Sequence, residues 1–489
     1  MQTLKAAVQK AGVFSGWSGE LPFAVLPVAA GIVVGLAVVT LPLMVTAVLF
    51  AGMVALLVTI IRPDWALYLY FCGVVVMTDG IPTHAVDSFY LPDVDVIEGL
   101  PSALTTFFLL MFGITAVRLT ILERRRPPVA LLPVAVITFI VCVGFVTGFH
   151  RGGDPELYRV DLFGMLLPVF TFCLCLPLLD SRDKIARLID IMIAVAALKA
   201  VILAAYYLAG LGWIYQLDST AAYRITTMDS ADLLVYITLP LIVMHRLVRG
   251  DLRGGKAVWS VAACLPMMYV VIFSYRRAQW VGLILSAGLL WLGASKRVRY
   301  RISVLLFAVL LLGSAGAVSA GLDADKAARI FSRITSIFDS KQSSNVYHVL
   351  ESRQVLLDLS ESPLLGLGLG SCHSPLGLYE EDEVPSNVVH NTFLYIWMKI
   401  GLPGLLFFLW AVWRFFRLVM RFRRQQIRSE EWGFVLPLAA SFGLWFATFL
   451  TGPVPWYVHQ TGLMALFAAM AVALMRQAEE REFAREPSE

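Results

Sequence analysis

The chain has 489 residues, of which 58% are hydrophobic and only 15% charged, and its mean hydropathy is +0.76. Soluble domains carry about 25% charged residues, so the composition excludes an ordinary soluble enzyme and fits a polytopic membrane protein. A net charge of +4 is too small to suggest nucleic acid as a partner, and it directs attention to where the positive residues fall.

A helix needs about 20 apolar residues to cross the hydrocarbon core. In chain order such segments lie at 21–40, 42–61, 65–79, 102–121, 129–149, 162–179, 185–209, 231–249, 257–274, 277–294, 302–320, 391–413, 433–451 and 458–475. They predict an all-α polytopic membrane protein with about 14 transmembrane helices. The third segment is short and the first two nearly fuse, so about 12–14 spans cover the readings. Residues 1–20 do not read as a cleaved signal, because the first apolar run continues without a small-residue cleavage site. Six cysteines include no C-x-x-C pair, which argues against a zinc knuckle or a redox couple.

Lys and Arg favour the cytoplasmic side of short loops. With Lys5 and Lys10 inside, the next inside segments carry Arg62, Arg118 with Arg124 to Arg126, Arg182 to Arg187, and Arg246 to Lys256. Lys296 to Arg301, Arg414 to Arg428 and Arg476 to Arg485 complete the set. Each loop agrees with its neighbours, which predicts both termini in the cytoplasm. The outside face then holds 80–101, 150–161, 210–230, the tight turn at 274–277, the long loop 321–390, and 452–458. The expected organisation is N-terminal transmembrane helices over 1–220 and central ones over 221–320. A large helical periplasmic loop over 321–390 follows, then C-terminal helices and a tail over 391–489.

Two helical patterns occur in the long loop. Ala327, Ile330, Phe331, Ile334, Ile337 and Phe338 follow i, i+3, i+4 spacing, as in a helix lying at the interface. Asn345 can cap a second helix to about Glu361, ended by Ser362-Pro363 and the glycines 366, 368 and 370. On a helical wheel Val346, Val349, Leu350 and Leu357 share one stripe, with Arg353 in its middle and Glu351 and Asp358 opposite. That predicts Arg353 on the buried side, either snorkelling under an interfacial helix or facing an anionic ligand.

Arg276 and Arg277 occupy a nearly loopless turn on the outside face. Two cations at a helix start add to the positive end of its dipole and make a natural phosphate site; anchoring at the interface beside Tyr275 and Trp280 is the alternative. Arg224 is the only Lys or Arg in 210–230, and either binds an anion or pairs with Asp218, Asp229 or Asp232. His390 lies at a loop-to-helix junction. No second His or carboxylate stands three or four positions from it, so no metal pair is expected there. Lys199 and Lys399 lie within predicted spans, where a charge is costly and functional by default, although Lys399 is near enough to the outer end to snorkel. The glycine run lacks the Lys-Ser/Thr ending of a nucleotide loop. Several outer-face arginines and one possible base suit a membrane-embedded diphosphate, and hence a polyprenyl diphosphate-linked sugar.

Three passages resemble the O-antigen ligase and polymerase superfamily of bacterial membrane proteins. Ser274 to Gly282 resembles its Ser-Arg-small helix start, with Arg277 in the register of the essential arginine. Glu351 to Gly370 resembles its loop helix and following glycine run, and His390-Asn391-Thr392 to Gly404 resembles its His-Asn helix ending in Gly-x-x-Gly. Arg224 fits an upstream outer-face arginine more loosely. The resemblance implies an inverting, metal-independent glycosyl transfer without a cofactor, at the periplasmic face of the bacterial inner membrane. The donor would be an undecaprenyl diphosphate-linked glycan and the acceptor a glycan or lipid. Membrane lipids surround the protein, and a chain-length regulator or flippase would be natural partners. Arg276, Arg277, Arg353 and Arg224 would bind the diphosphate, and His390 would orient or deprotonate the acceptor hydroxyl. Where the family often has Glu, two residues before the first glycine of Gly-x-x-Gly, this chain has Lys399. Polymerisation of lipid-linked repeat units is the leading expectation. Ligation to lipid A-core is the alternative, and a lipid-linked glycan flippase is a third reading.

Overall fold

The computed structural model describes residues 43–76, 103–122, 131–209, 213–215, 222–224, 230–274, 276–319, 335, 343–376, 385–427, 429–452, 454 and 458–483. The predicted first span at 21–40, the acidic loop at 80–101 and the interfacial pattern at 327–338 fall outside this set, apart from residue 335. The chain divides into two units, Met1–Tyr70 with Val94–Val129, and Phe71–Asp93 with Ala130–Glu489.

In the first unit α1 (Leu43–Ile61) packs on α3 (Ala103–Val117), which continues as a π-helical turn, Arg118–Leu122. Helix α2 (Pro63–Val76) begins here with proline in its first turn, where the missing N–H costs nothing. Arg62 precedes it and pairs with Asp64 at 3.2 Å.

The second unit carries α4 (Leu131–His150), α5 (Pro155–Leu178), α6 (Arg182–Leu208), and a small hairpin of β1 (Trp213–Tyr215) and β2 (Ala222–Arg224). Next come α7 (Ser230–Arg249), α8 (Gly254–Phe273), α9 (Arg277–Gly293) and α10 (Lys296–Ser319). The loop helix α11 (Ser343–Leu359) follows, then α12 (Thr392–Gln426), α13 (Trp432–Ala440), α14 (Phe442–Thr451) and α15 (Val458–Phe483). The described residues are overwhelmingly helical. Eight of their helices are long and apolar enough to cross a membrane, so the fourteen spans expected from the sequence are not established.

Helices α13 and α14 are buried almost throughout, and small residues let α9 approach them closely. Gly282 lies against Leu444, Gly443 lies against Ser286, and the Ser286 hydroxyl accepts a hydrogen bond from Leu444 N at 2.9 Å. Such close helix contact is the usual use of small residues in membranes. Helix α5 runs along α15, and α4 packs on α12.

Helix α12 is broken where its sequence reads Ile400-Gly401. Gly401 has φ +73° and ψ 178°, a conformation essentially confined to glycine. The break frees the Met398 carbonyl, which accepts from Leu367 N at 2.7 Å and Gly368 N at 3.1 Å; Leu402 N donates instead to Leu364 O at 3.0 Å. The glycine run therefore repairs the kink by giving these buried backbone groups partners. Gly366, Gly368 and Gly370 all have positive φ, and Leu369 N donates to Gly144 O on α4 at 3.0 Å.

One boundary moves with consequence. The segment expected as an outer loop, 150–161, is helical from Pro155, because Asp154 caps α5 by accepting from Glu156 N at 2.9 Å. That draws Asp161 into the helix, where it is fully buried.

Candidate active site

The His-Asn-Thr sequence gives each residue a separate task. Asn391 Oδ1 accepts from Phe393 N at 3.0 Å and Leu394 N at 3.2 Å, so it is the N-cap of α12. Thr392 Oγ1 donates to Gly452 O at 2.7 Å and accepts from Val454 N at 3.1 Å, tying this helix start to the end of α14. His390 stands just outside the helix, half-buried.

Its position is fixed by Glu351 of α11. One carboxylate oxygen lies 2.9 Å from His390 Nδ1, and the other accepts from His390 N at 2.8 Å. Glu351 is 1% exposed, while the His390 side chain is 35% exposed. A carboxylate accepts and cannot donate when ionised, so it selects the tautomer with the proton on Nδ1 and the lone pair on Nε2. This is the base-and-orienter relation of hydrolase triads: one group holds the imidazole, and the outward nitrogen is left to take a proton.

Helix α11 is anchored through Val355 and Leu359, which join Val389, Tyr395 and Ile396 in one buried cluster with residues of α4 and α5. The buried face is therefore Glu351, Val355 and Leu359. This corrects the wheel reading. Arg353 is exposed, together with Val346, Val349 and Leu357. The apolar stripe faces outwards, and the face predicted to meet water carries the buried carboxylate.

Arg276 is the N-cap residue of α9 and Arg277 its first residue; both are half-buried. Arg277 is close enough to be felt at His348. Burial pushes the His348 imidazole down to about 4; His390 and Arg277 push the same way, and Glu351 opposes them. The His348 and His390 rings are 5.0 Å apart, and Tyr347 meets His390 edge-on at 5.8 Å. His390, Glu351, His348 and Arg277 thus form one neighbourhood. Arg224 is placed only by its backbone, in β2 opposite Trp213.

Lys399 does not snorkel. It is fully buried, with Nζ 2.8 Å from Asp161 Oδ2 and 2.6 Å from Ser371 O. Asp161 also accepts from Gly370 N at 2.7 Å and from the Tyr395 hydroxyl. The Lys399 ammonium is matched here by a carboxylate on another helix. Lys199 is likewise paired, with Asp232 at 2.7 Å and Val75 O at 2.8 Å. Neither lysine points to a ligand.

Beside the Lys399 pair lies a cleft of about 380 Å³, lined by Arg151, Asp154, Asp358, Glu361, Ser371 and Ser374 among others. His373 bridges its wall to the segment leading to His390, pairing with Ser386 through His373 N to Ser386 O at 2.8 Å.

Sequence reasoning missed Glu351, His348 and Asp161 as partners. The i, i+3 spacing of His348 and Glu351 is the signal in the sequence, and it lies some forty residues before His390. No curated protein matches the chain. Residues 262–409 match the family model described as O-Antigen ligase. That interval, less than half of the chain, is similar to that family and holds Arg276, Arg277, Glu351, Arg353 and His390.

Proposed function

We propose that the protein is an inverting, metal-independent glycosyltransferase at the periplasmic face of the inner membrane. It transfers the glycan of an undecaprenyl diphosphate-linked donor to the hydroxyl of a growing polysaccharide. The observation that carries this reading is the Glu351–His390 pair, a held imidazole with an outward nitrogen inside the matched interval. His390 Nε2 takes the acceptor hydroxyl proton as that oxygen attacks the anomeric carbon. The bond from that carbon to the diphosphate oxygen breaks, and undecaprenyl diphosphate leaves with the electron pair. Glu351 stabilises the imidazolium that forms. Arg277 and Arg276 at the start of α9 bind the departing diphosphate, with Arg353 and Arg224 assisting; fixed cations aimed at developing charge are usually the largest contribution. The outward stripe of α11 supports the same reading. Its apolar residues, exposed beside Arg353, can meet a polyprenyl chain.

His390→Ala and Arg277→Ala should abolish transfer without lowering protein level, and normal glycan chain lengths in both variants would sink the assignment. The second reading is ligation to lipid A-core, favoured by the description of the matched family. The two share donor chemistry and differ in acceptor. Single repeats accumulating on the polyprenyl carrier of a deletion strain identify a polymerase; long chains on that carrier identify a ligase.

A further inference from the structure

His348, Glu351 and His390 each offer one ligand atom, and these three atoms lie within 4.8 Å of one another. We propose that they form a binding site for a divalent transition ion such as Zn²⁺, and that the ion silences the enzyme. Two imidazoles and one carboxylate are an ordinary zinc set, with bond lengths near 2.0–2.2 Å that put ligand atoms roughly 3.4 Å apart in a tetrahedron. One pair, Glu351 Oε1 and His390 Nδ1, is at 2.9 Å. With every separation at or below 4.8 Å, closing on one ion needs side-chain movements of at most about 1.5 Å.

Several features make the site available. Among the described residues His348 Nδ1 is buried and has no hydrogen-bond partner, an uncommon state for a buried polar atom. His348 and Glu351 stand at i and i+3 on α11, so one helix presents both. His390 comes from the start of α12, so the ligands bridge two elements. The carboxylate supplies one negative charge. Arg277 acts on the same imidazole and opposes a cation there.

The consequence follows from the tautomer. Ligation through His390 Nδ1 breaks its bond to Glu351; ligation through Nε2 occupies the lone pair that would take the acceptor proton. Either removes the base. Binding itself does not depend on the glycosyl-transfer reading, whereas inhibition rests on it.

The test uses the full chain purified in detergent and titrated with Co²⁺, followed by Zn²⁺ displacement. We expect one Co²⁺ per chain, with the visible absorption of a low-coordinate site containing nitrogen ligands, lost on adding Zn²⁺. His348→Gln should weaken binding by more than about tenfold, and His348→Cys, which restores a zinc ligand, should retain it. Zn²⁺ should inhibit glycan transfer by the wild-type protein, with recovery on chelation. Absence of the Co²⁺ absorption in the wild-type protein overturns the site, whatever the variants do; so does equal affinity in His348→Gln. Saturating zinc binding with undiminished transfer overturns His390 as the base and leaves the binding site standing.

Discussion

Lys399→Met removes one side of a buried ion pair, and the structure sets what that costs. Asp161 and Lys399 are both fully buried. With the ammonium gone, the carboxylate keeps two donors, Gly370 N and the Tyr395 hydroxyl, but no compensating charge. Breaking a buried pair by removing one partner costs about 3–5 kcal/mol, because the remaining charge is stranded. Asp161→Asn strands the ammonium against the Ser371 carbonyl and should cost a similar amount. The double variant Lys399→Met/Asp161→Asn strands neither. It should therefore be more stable than the sum of the single effects predicts, with a coupling of at least about 2 kcal/mol. Purified variants unfolded thermally or by denaturant in one detergent give the three differences. Additive effects, or single losses under about 1 kcal/mol, would refute the pair as a structural element. They would return Lys399 to the list of ligand-binding candidates.

Three further outcomes follow from the same geometry. Glu351→Gln should lower transfer by about 10²-fold or more, since general-base catalysis is worth roughly 10²–10⁴. Adding Glu351→Gln to His390→Ala should cost almost nothing more, because residues acting as a unit are not additive; single-turnover rates check both. Gly401→Ala forces a side chain into a glycine-only conformation against the Leu365 carbonyl, and should destabilise by about 2–3 kcal/mol. Gly113→Ala meets open space within a helix and should be neutral or gain up to about 1 kcal/mol, which thermal unfolding distinguishes. Asn391→Ala deletes the α12 cap and should cost about 1–2 kcal/mol while also lowering transfer through the neighbouring His390; Asn391→Asp should restore both.

What could be read in advance divides along a physical line. The His-Asn junction, the arginine pair at the start of α9 and the termination of α11 by the glycine run were legible, because caps, helix starts and glycine stops are local. The wheel of α11 failed because it assumed that charge faces out and apolar residues face in. That rule belongs to a helix with water outside and a hydrophobic core inside. Here the outside of α11 is apolar, with Val349 and Leu357 exposed, and its inside holds Glu351 against an imidazole. Asp161 was hidden for a different reason. A span counted by hydropathy alone starts at the first long apolar run, so a carboxylate in the first turns of α5 was assigned to a loop, and Lys399 was left without a counter-charge. Both errors have one remedy. In a membrane chain a charge at an unexpected helical position is best treated as half of a pair, and the other half is sought on another helix. Lys399, Lys199 and His390 have such partners in Asp161, Asp232 and Glu351. The first two bury charge on charge with 13% exposure or less at every side chain. The third leaves its histidine at 35%. The partner reachable from outside is the one that can exchange a proton with a substrate, and this separates the candidate base from the two scaffold lysines.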